Sequence, residues 1–213
     1  MVVAERGYGE TTLELLLAEA GLEEAEFVRS YPDLEVCFAA LWEVCRDDLG
    51  ARTSAAFRRA GGRKAGLRAA AWESCRWLQE NPDRGRLFLV EVSFAGELAR
   101  AARDQLLARY ADLIHATARG RGASRVAREH AEAIVGAIWQ RLSTAVRAGD
   151  LDALPALVPE LMYTAVLPYF GAAAAREELR RGPADIARHK RGEAGTTFAQ
   201  IAVSSEVRYR LTR

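Results

Sequence analysis

The chain has 213 residues, half of them apolar, with 30 basic and 29 acidic side chains. That is enough for one large or two small domains around a sizeable core. No run approaches the roughly 18 apolar residues of a membrane span, which argues against a membrane protein.

The charges are unevenly placed. The first fifty residues hold twelve acids and three bases, net −9, leaving 27 bases and 17 acids, net +10, for the rest. Met1-Val-Val-Ala-Glu-Arg6 turns charged after three apolar residues and does not read as a secretory leader. Cys37, Cys45 and Cys75 cannot all pair and have no C-x-x-C spacing, which suits a reduced, cytoplasmic protein.

In chain order the dominant signal is helical, because Ala, Leu, Arg and Glu abound. Thr11 or Thr12 can cap a short helix whose inner side carries Leu13, Leu16, Leu17 and Ala20. Gly21 suits a left-handed end to it. A second short helix, about 23–30, carries Ala25, Phe27 and Val28, and Tyr31-Pro32-Asp33 breaks it. Two short helices around a glycine turn read as a helix-turn-helix. Phe38, Leu41, Cys45 and Leu49 then predict one helix from Leu34 to near Ala60, stopped by Gly61-Gly62. Leu67, Ala71, Cys75 and Leu78 mark the next, ended by Asn81-Pro82. A short helix over about 83–94 follows. Leu98, Ala102, Leu106, Tyr110 and Leu113 mark another, closed by Gly120-Arg121-Gly122. Ile134, Ile138, Leu142 and Ala145 predict a helix from Ser124 to Ala148. After Gly149-Asp150, a last long helix spans 155–181, with Pro168 expected to kink it. Residues 192–213 read as a mobile tail or one short appended element. The pattern is all-α. It divides into residues 1–50, a larger helical part over 51–191, and the tail.

Gly7-Tyr8, Thr11-Thr12, Ala20-Gly21-Leu22 and Tyr31-Pro32 stand at the spacings of the tetracycline-repressor (TetR) family, which the segment 7–41 closely resembles. In that family these features end the first helix, start the second, make the turn and close the recognition helix. The resemblance implies a one-component transcriptional regulator, a repressor controlled by a small molecule, that binds double-stranded DNA as a homodimer. It implies DNA contacts from Thr11, Thr12, Glu23, Glu24, Glu26, Arg29, Ser30 and Tyr31. It also implies a two-fold four-helix interface, for which the apolar positions Ile134, Ile138, Leu142, Leu157, Leu161 and Val166 are the candidates.

Four positions depart from the family pattern. Only Val2–Arg6 remains of the opening helix, or the start lies upstream of this sequence. Glu23 replaces a hydroxyl residue, Val28 a phosphate-contacting Tyr, and Leu34 a Lys. The opening helix would cover Leu16, Leu17 and Phe27, so a loosely packed N-terminal segment is expected. Acids can accept from cytosine N4, but phosphate contacts depend on bases. A second reading therefore stands beside the first: a degenerate dimerising or ligand-binding relative that no longer binds DNA alone.

Trp72, Phe88, Phe94, Tyr110 and Trp139 are the candidates to line a pocket for an apolar or aromatic effector. His115, His130 and His189 lack metal-ligand spacing. No phosphate loop, nucleophile elbow or placed carboxylate pair is visible. The sequence thus predicts no enzyme, cofactor or metal.

Overall fold

The computed structural model describes residues 2–118 and 128–181. Nine α-helices and two 3-10 turns make up this part, with no strand among the described residues. Helix α1 is Val2–Arg6, followed by a 3-10 turn at Tyr8–Glu10. Then come α2 (Leu13–Ala20), α3 (Glu24–Ser30), α4 (Leu34–Arg59), α5 (Arg63–Glu80) and α6 (Pro82–Leu89). A second 3-10 turn, Glu91–Ser93, leads into α7 (Gly96–Ala118), α8 (Arg128–Ala148) and α9 (Leu154–Leu179). None of these helices is long and apolar enough to cross a membrane.

Local chemistry sets most helix ends. The Thr12 hydroxyl accepts from Leu15 N at 3.3 Å, satisfying a first-turn amide of α2. Gly21 ends α2 at φ 63°, ψ 35°, and Leu22 N closes back on Leu17 O at 3.1 Å. Asp33 caps α4, its Oδ1 accepting from Val36 N at 2.8 Å. The Asn81 side chain donates to Trp77 O at 2.9 Å, and Pro82 opens α6, where a missing N–H costs nothing.

The core lies among α4–α9. Phe88 sits between three indoles. It stacks on Trp42 with centroids 5.1 Å apart and planes at 12°, and meets Trp77 at 6.1 Å and Trp139 at 5.5 Å. The buried indole N–H groups find acceptors: Trp42 Nε1 donates to Phe88 O (3.1 Å) and Trp77 Nε1 to Asp48 Oδ2 (2.8 Å). A smaller cluster joins Ala111 and Ile114 of α7, Ala131, Ile134 and Val135 of α8, and Ala165 and Tyr169 of α9. At the far end of α9, buried Glu178 takes a two-pronged contact from Arg68, Nε and Nη2 each 2.7 Å from a carboxylate oxygen.

Four expectations need correction. The helix expected over 83–94 ends at Leu89 and continues as the 3-10 turn. The break in α9 falls at Gly171 (φ 81°, ψ 169°), not at Pro168. A proline removes one helical hydrogen bond, but only glycine enters that backbone region without steric strain. The N-terminal segment is held better than its short α1 suggests. Val2, Val3 and Ala4 are buried, α1 packs on α6, and Phe27 is buried, although Leu16 and Leu17 are only half-buried. Finally, Ile134, Leu142, Leu157, Leu161 and Val166 are buried within the chain itself. They leave a second copy little to cover, although half-buried Ile138, together with Leu161, borders an open depression. The apolar faces of α8 and α9 pack mainly on each other and the body. Residues 124–127, the Gly120–Gly122 closure and the 192–213 tail lie outside the described residues.

Candidate nucleic-acid interface

The helix pair α2–α3 holds one buried side chain. Phe27 is the sole buried residue of α3, and Tyr31, half-buried, lies 5.6 Å from its ring. Every other α3 residue is exposed. The outer surface of α3 therefore presents Glu24, Ala25, Glu26, Val28, Arg29 and Ser30, with Glu23 exposed at the N-cap position. Glu23 makes no side-chain cap bond, so its carboxylate is not drawn onto the helix end.

The two threonines differ. Thr12 is exposed, but its oxygen already accepts from Leu15 N. The Glu14 carboxyl is held below its ordinary range by a backbone amide of its own residue and then by the Thr12 hydroxyl. Thr11 is buried and donates to Gly7 O at 2.8 Å. The expectation of a phosphate contact from Thr11 is thereby corrected: its hydroxyl closes the turn after α1 and does not face solvent.

Within α2–α3 and the turn, residues 13–30 carry five acids and one base, net −4. That base, Arg29, folds along its own helix. Its Nε donates to Ala25 O at 3.2 Å, and its guanidinium lies 3.8 Å from Glu26. Both side chains remain mostly exposed, so this pair contributes little and is easily exchanged.

Two contacts fix this unit to the body. The Tyr8 ring meets Phe38 of α4 edge-on, centroids 5.2 Å apart. The Tyr8 backbone N–H donates to Glu91 Oε2 at 2.9 Å. The phenol of Tyr8 is pushed up by burial and then by Glu35 and Asp33 nearby. Glu91 was not among the sequence candidates. Its signal was there: one acid inside the apolar run Leu87-Phe-Leu-Val-Glu-Val-Ser-Phe94.

The pocket candidates separate. Phe88 and Trp139 come together in the aromatic cluster, and half-buried Tyr110 adjoins both core clusters. Half-buried Trp72 packs at the edge of the larger one. Phe94 does not belong with them. It is 62% exposed, because the 3-10 turn ends there and swings the ring outward before Gly96. Two open depressions lie on the surface. One, about 190 Å³, is lined by Ala137, Ile138, Arg141, Glu160, Leu161 and Thr164. The other, about 260 Å³, runs between α7 and α8 beside Leu107 and Gly136. None of the five aromatic candidates lines either.

Burial pushes the Cys37 thiol up to about 11 and those of Cys45 and Cys75 up to about 12, so all three behave as small apolar groups. His115 Nδ1 and the Tyr169 hydroxyl are buried without hydrogen-bond partners among the described residues, their rings 6.3 Å apart. Among the described residues no group of three His, Cys, Asp or Glu side chains is placed to hold a metal ion. Comparisons with protein-family models, curated proteins and solved structures return no match.

Proposed function

We propose that this protein is a one-component DNA-binding regulator of the TetR type, with α2–α3 as its helix-turn-helix and α4–α9 as an effector-binding and dimerising body. The observation that carries the reading is the helix pair itself. Thr12 starts α2, left-handed Gly21 turns the chain, and every α3 residue except Phe27 is exposed, which leaves the helix an open outer face. A recognition helix needs such a face to enter the major groove. The family resemblance of residues 7–41 supports the same reading. Glu23, Glu24, Glu26, Arg29 and Ser30 are then the groove-facing set, with Thr12 and Tyr31 at its edges.

The body supplies the other half. Half-buried Trp139, Tyr110 and Trp72, packed around buried Phe88, are the aromatic groups that a small apolar or aromatic effector would meet on entering between the central helices. A homodimer uses the outward row of α8, Ala133, Gly136, Ala137, Gln140 and Thr144, all exposed. Small side chains there allow close approach of a partner helix. Such a regulator works in the cytoplasm, beside the chromosome.

A second reading rests on charge. A net of −4 over residues 13–30, with Arg29 turned back along α3, favours a unit that does not hold DNA alone. Fluorescence anisotropy with the full chain separates the two. Random duplex is compared with DNA flanking the protein's own gene, from about 50 to 200 mM salt. Specific binding that weakens with salt, and falls on Arg29→Ala, supports the regulator. No binding even near 50 mM, for this chain and for one extended upstream, leaves the degenerate relative.

A further inference from the structure

One buried carboxylate ties the N-terminal segment to the body. Glu91 is 3% exposed. Its Oε2 accepts the Tyr8 N–H at 2.9 Å, and Arg86 Nε lies 3.1 Å from Oε1 as its ion-pair partner. Tyr8 opens a 3-10 turn, so its amide has no acceptor within that turn. Gly7 aims the amide at Glu91. It sits at φ 85°, ψ 158°, a region essentially reserved for glycine, and a Cβ there would stand 3.4 Å from Oε2.

Glu91 follows directly on the part of α6 that the core grips hardest. The Phe88 carbonyl accepts from Trp42 of α4, and the Leu89 carbonyl accepts from Ser143 of α8 at 3.2 Å. The Phe88 ring is held by three indoles. Segment 86–91 is therefore bonded to α4, to α8 and to the N-terminal segment at once. A second carboxylate steadies the start of α4, since Glu35 Oε1 accepts from Leu98 N of α7 at 2.9 Å. In a close-packed interior, Phe88 cannot shift without carrying Glu91, three residues on.

We propose that the Glu91 carboxylate is a latch that sets the orientation of α1–α3 on the body, and that rearrangement of the Phe88 cluster releases it. Under the regulator reading, this is the route from effector to DNA. The latch itself is readable without DNA.

The test is amide hydrogen exchange on the full chain, wild type against Glu91→Ala, Glu91→Gln, Gly7→Ala and Phe88→Leu. Loss of a bond to a charged acceptor should speed exchange over residues 2–20 about tenfold or more in Glu91→Ala and Gly7→Ala, with α9 unchanged. Glu91→Gln keeps an acceptor and should return most of the protection. Phe88→Leu should loosen residues 2–20 more than α9. Unchanged exchange over 2–20 in Gly7→Ala, acceleration spread equally through α9, or a Gln variant as loose as Ala, each overturns the latch. Phe88→Leu without effect on residues 2–20 overturns the link to the cluster. Gly7→Ala removes no atom of the body and decides the matter if Glu91→Ala does not fold. Absence of DNA binding by the wild type would remove the regulator reading and leave these exchange results standing.

Discussion

The N-terminal segment and the body are made of the same helix-forming residues, yet they are stabilised differently. Helix α2 buries no residue and α3 buries one. Helix α6, as short as α2, buries Gly85, Leu87, Phe88 and Leu89. Isolated helices of seven or eight residues are marginal in water. Those of the N-terminal segment persist through a cap at Thr12, the Phe27–Tyr31 contact, and anchorage of α1 and Tyr8 on the body. A segment of this kind is well ordered only while its mounting is.

The largest expected effect breaks the body and, through it, both regions. Phe88→Ala empties the centre of the indole cluster and should cost about 3–5 kcal/mol. Helicity of the whole chain should then be lost in one transition by circular dichroism. Survival of a folded N-terminal segment would show that its stability is its own.

Arg68→Ala comes next. It leaves Glu178 buried with only Lys64, 3.7 Å away, as a partner. Removing one member of a buried pair costs about 3–5 kcal/mol, and the residual lysine places this site at the lower end. Chemical denaturation should report the loss. Hydrogen exchange should place it in α5 and α9, not in α1–α3.

Thr12→Ala sharpens the contrast from the other side. Loss of an N-cap costs about 1 kcal/mol. Exchange should rise in α2 while the body's denaturation midpoint stays put. A fall in the body's midpoint would mean that the two regions are coupled more tightly than the contacts suggest. The same variant removes the lesser of the two hydrogen bonds that hold the Glu14 carboxyl below its ordinary range, the backbone amide of Glu14 remaining. A lowered folded-state value contributes stability above the ordinary carboxyl range and loses it as pH falls through the folded value. In the wild type, this small contribution of Glu14 to α2 should therefore be lost on acidification, read as faster amide exchange in α2.

The smallest effect carries the opposite sign. The Tyr169 hydroxyl is buried without a hydrogen-bond partner among the described residues. Tyr169→Phe should leave stability unchanged or raise it by up to about 1 kcal/mol. A clear loss in thermal unfolding would reveal a bond that this hydroxyl makes in solution.

Features decided within four or five residues were legible in the sequence. Thr12, Gly21, Asn81-Pro82 and Gly61-Gly62 mark helix ends because capping and backbone preference act locally. What covers a face was not legible. The 3.6-residue rhythm of Ile134, Ile138 and Leu142 shows that one side of α8 is apolar, and it is silent on whether a neighbour or a second copy buries it. Pro168 and Gly171 both stand inside α9, and the choice between them depends on where the last turns must go to bring Glu178 to Arg68. Glu91 stood out as a lone acid in an apolar run, but its partner is an amide 83 residues earlier. Phe94 shows the same limit. Its apolar character suggests burial, and a turn of three residues turns it out.

The Glu91–Tyr8 bond also bears on the order in which the chain acquires its structure. Domains usually form from the N-terminus as synthesis proceeds. Here Tyr8 waits for a carboxylate that emerges only after α4, α5 and α6. The body in turn awaits Glu178, 110 residues beyond Arg68. Closing such distant contacts slows folding relative to a bundle of local pairs. On the ribosome, the segment proposed to touch DNA is thus made before the carboxylate that secures it, so a truncated product ending before Glu91 would carry the helix pair without its proper pose.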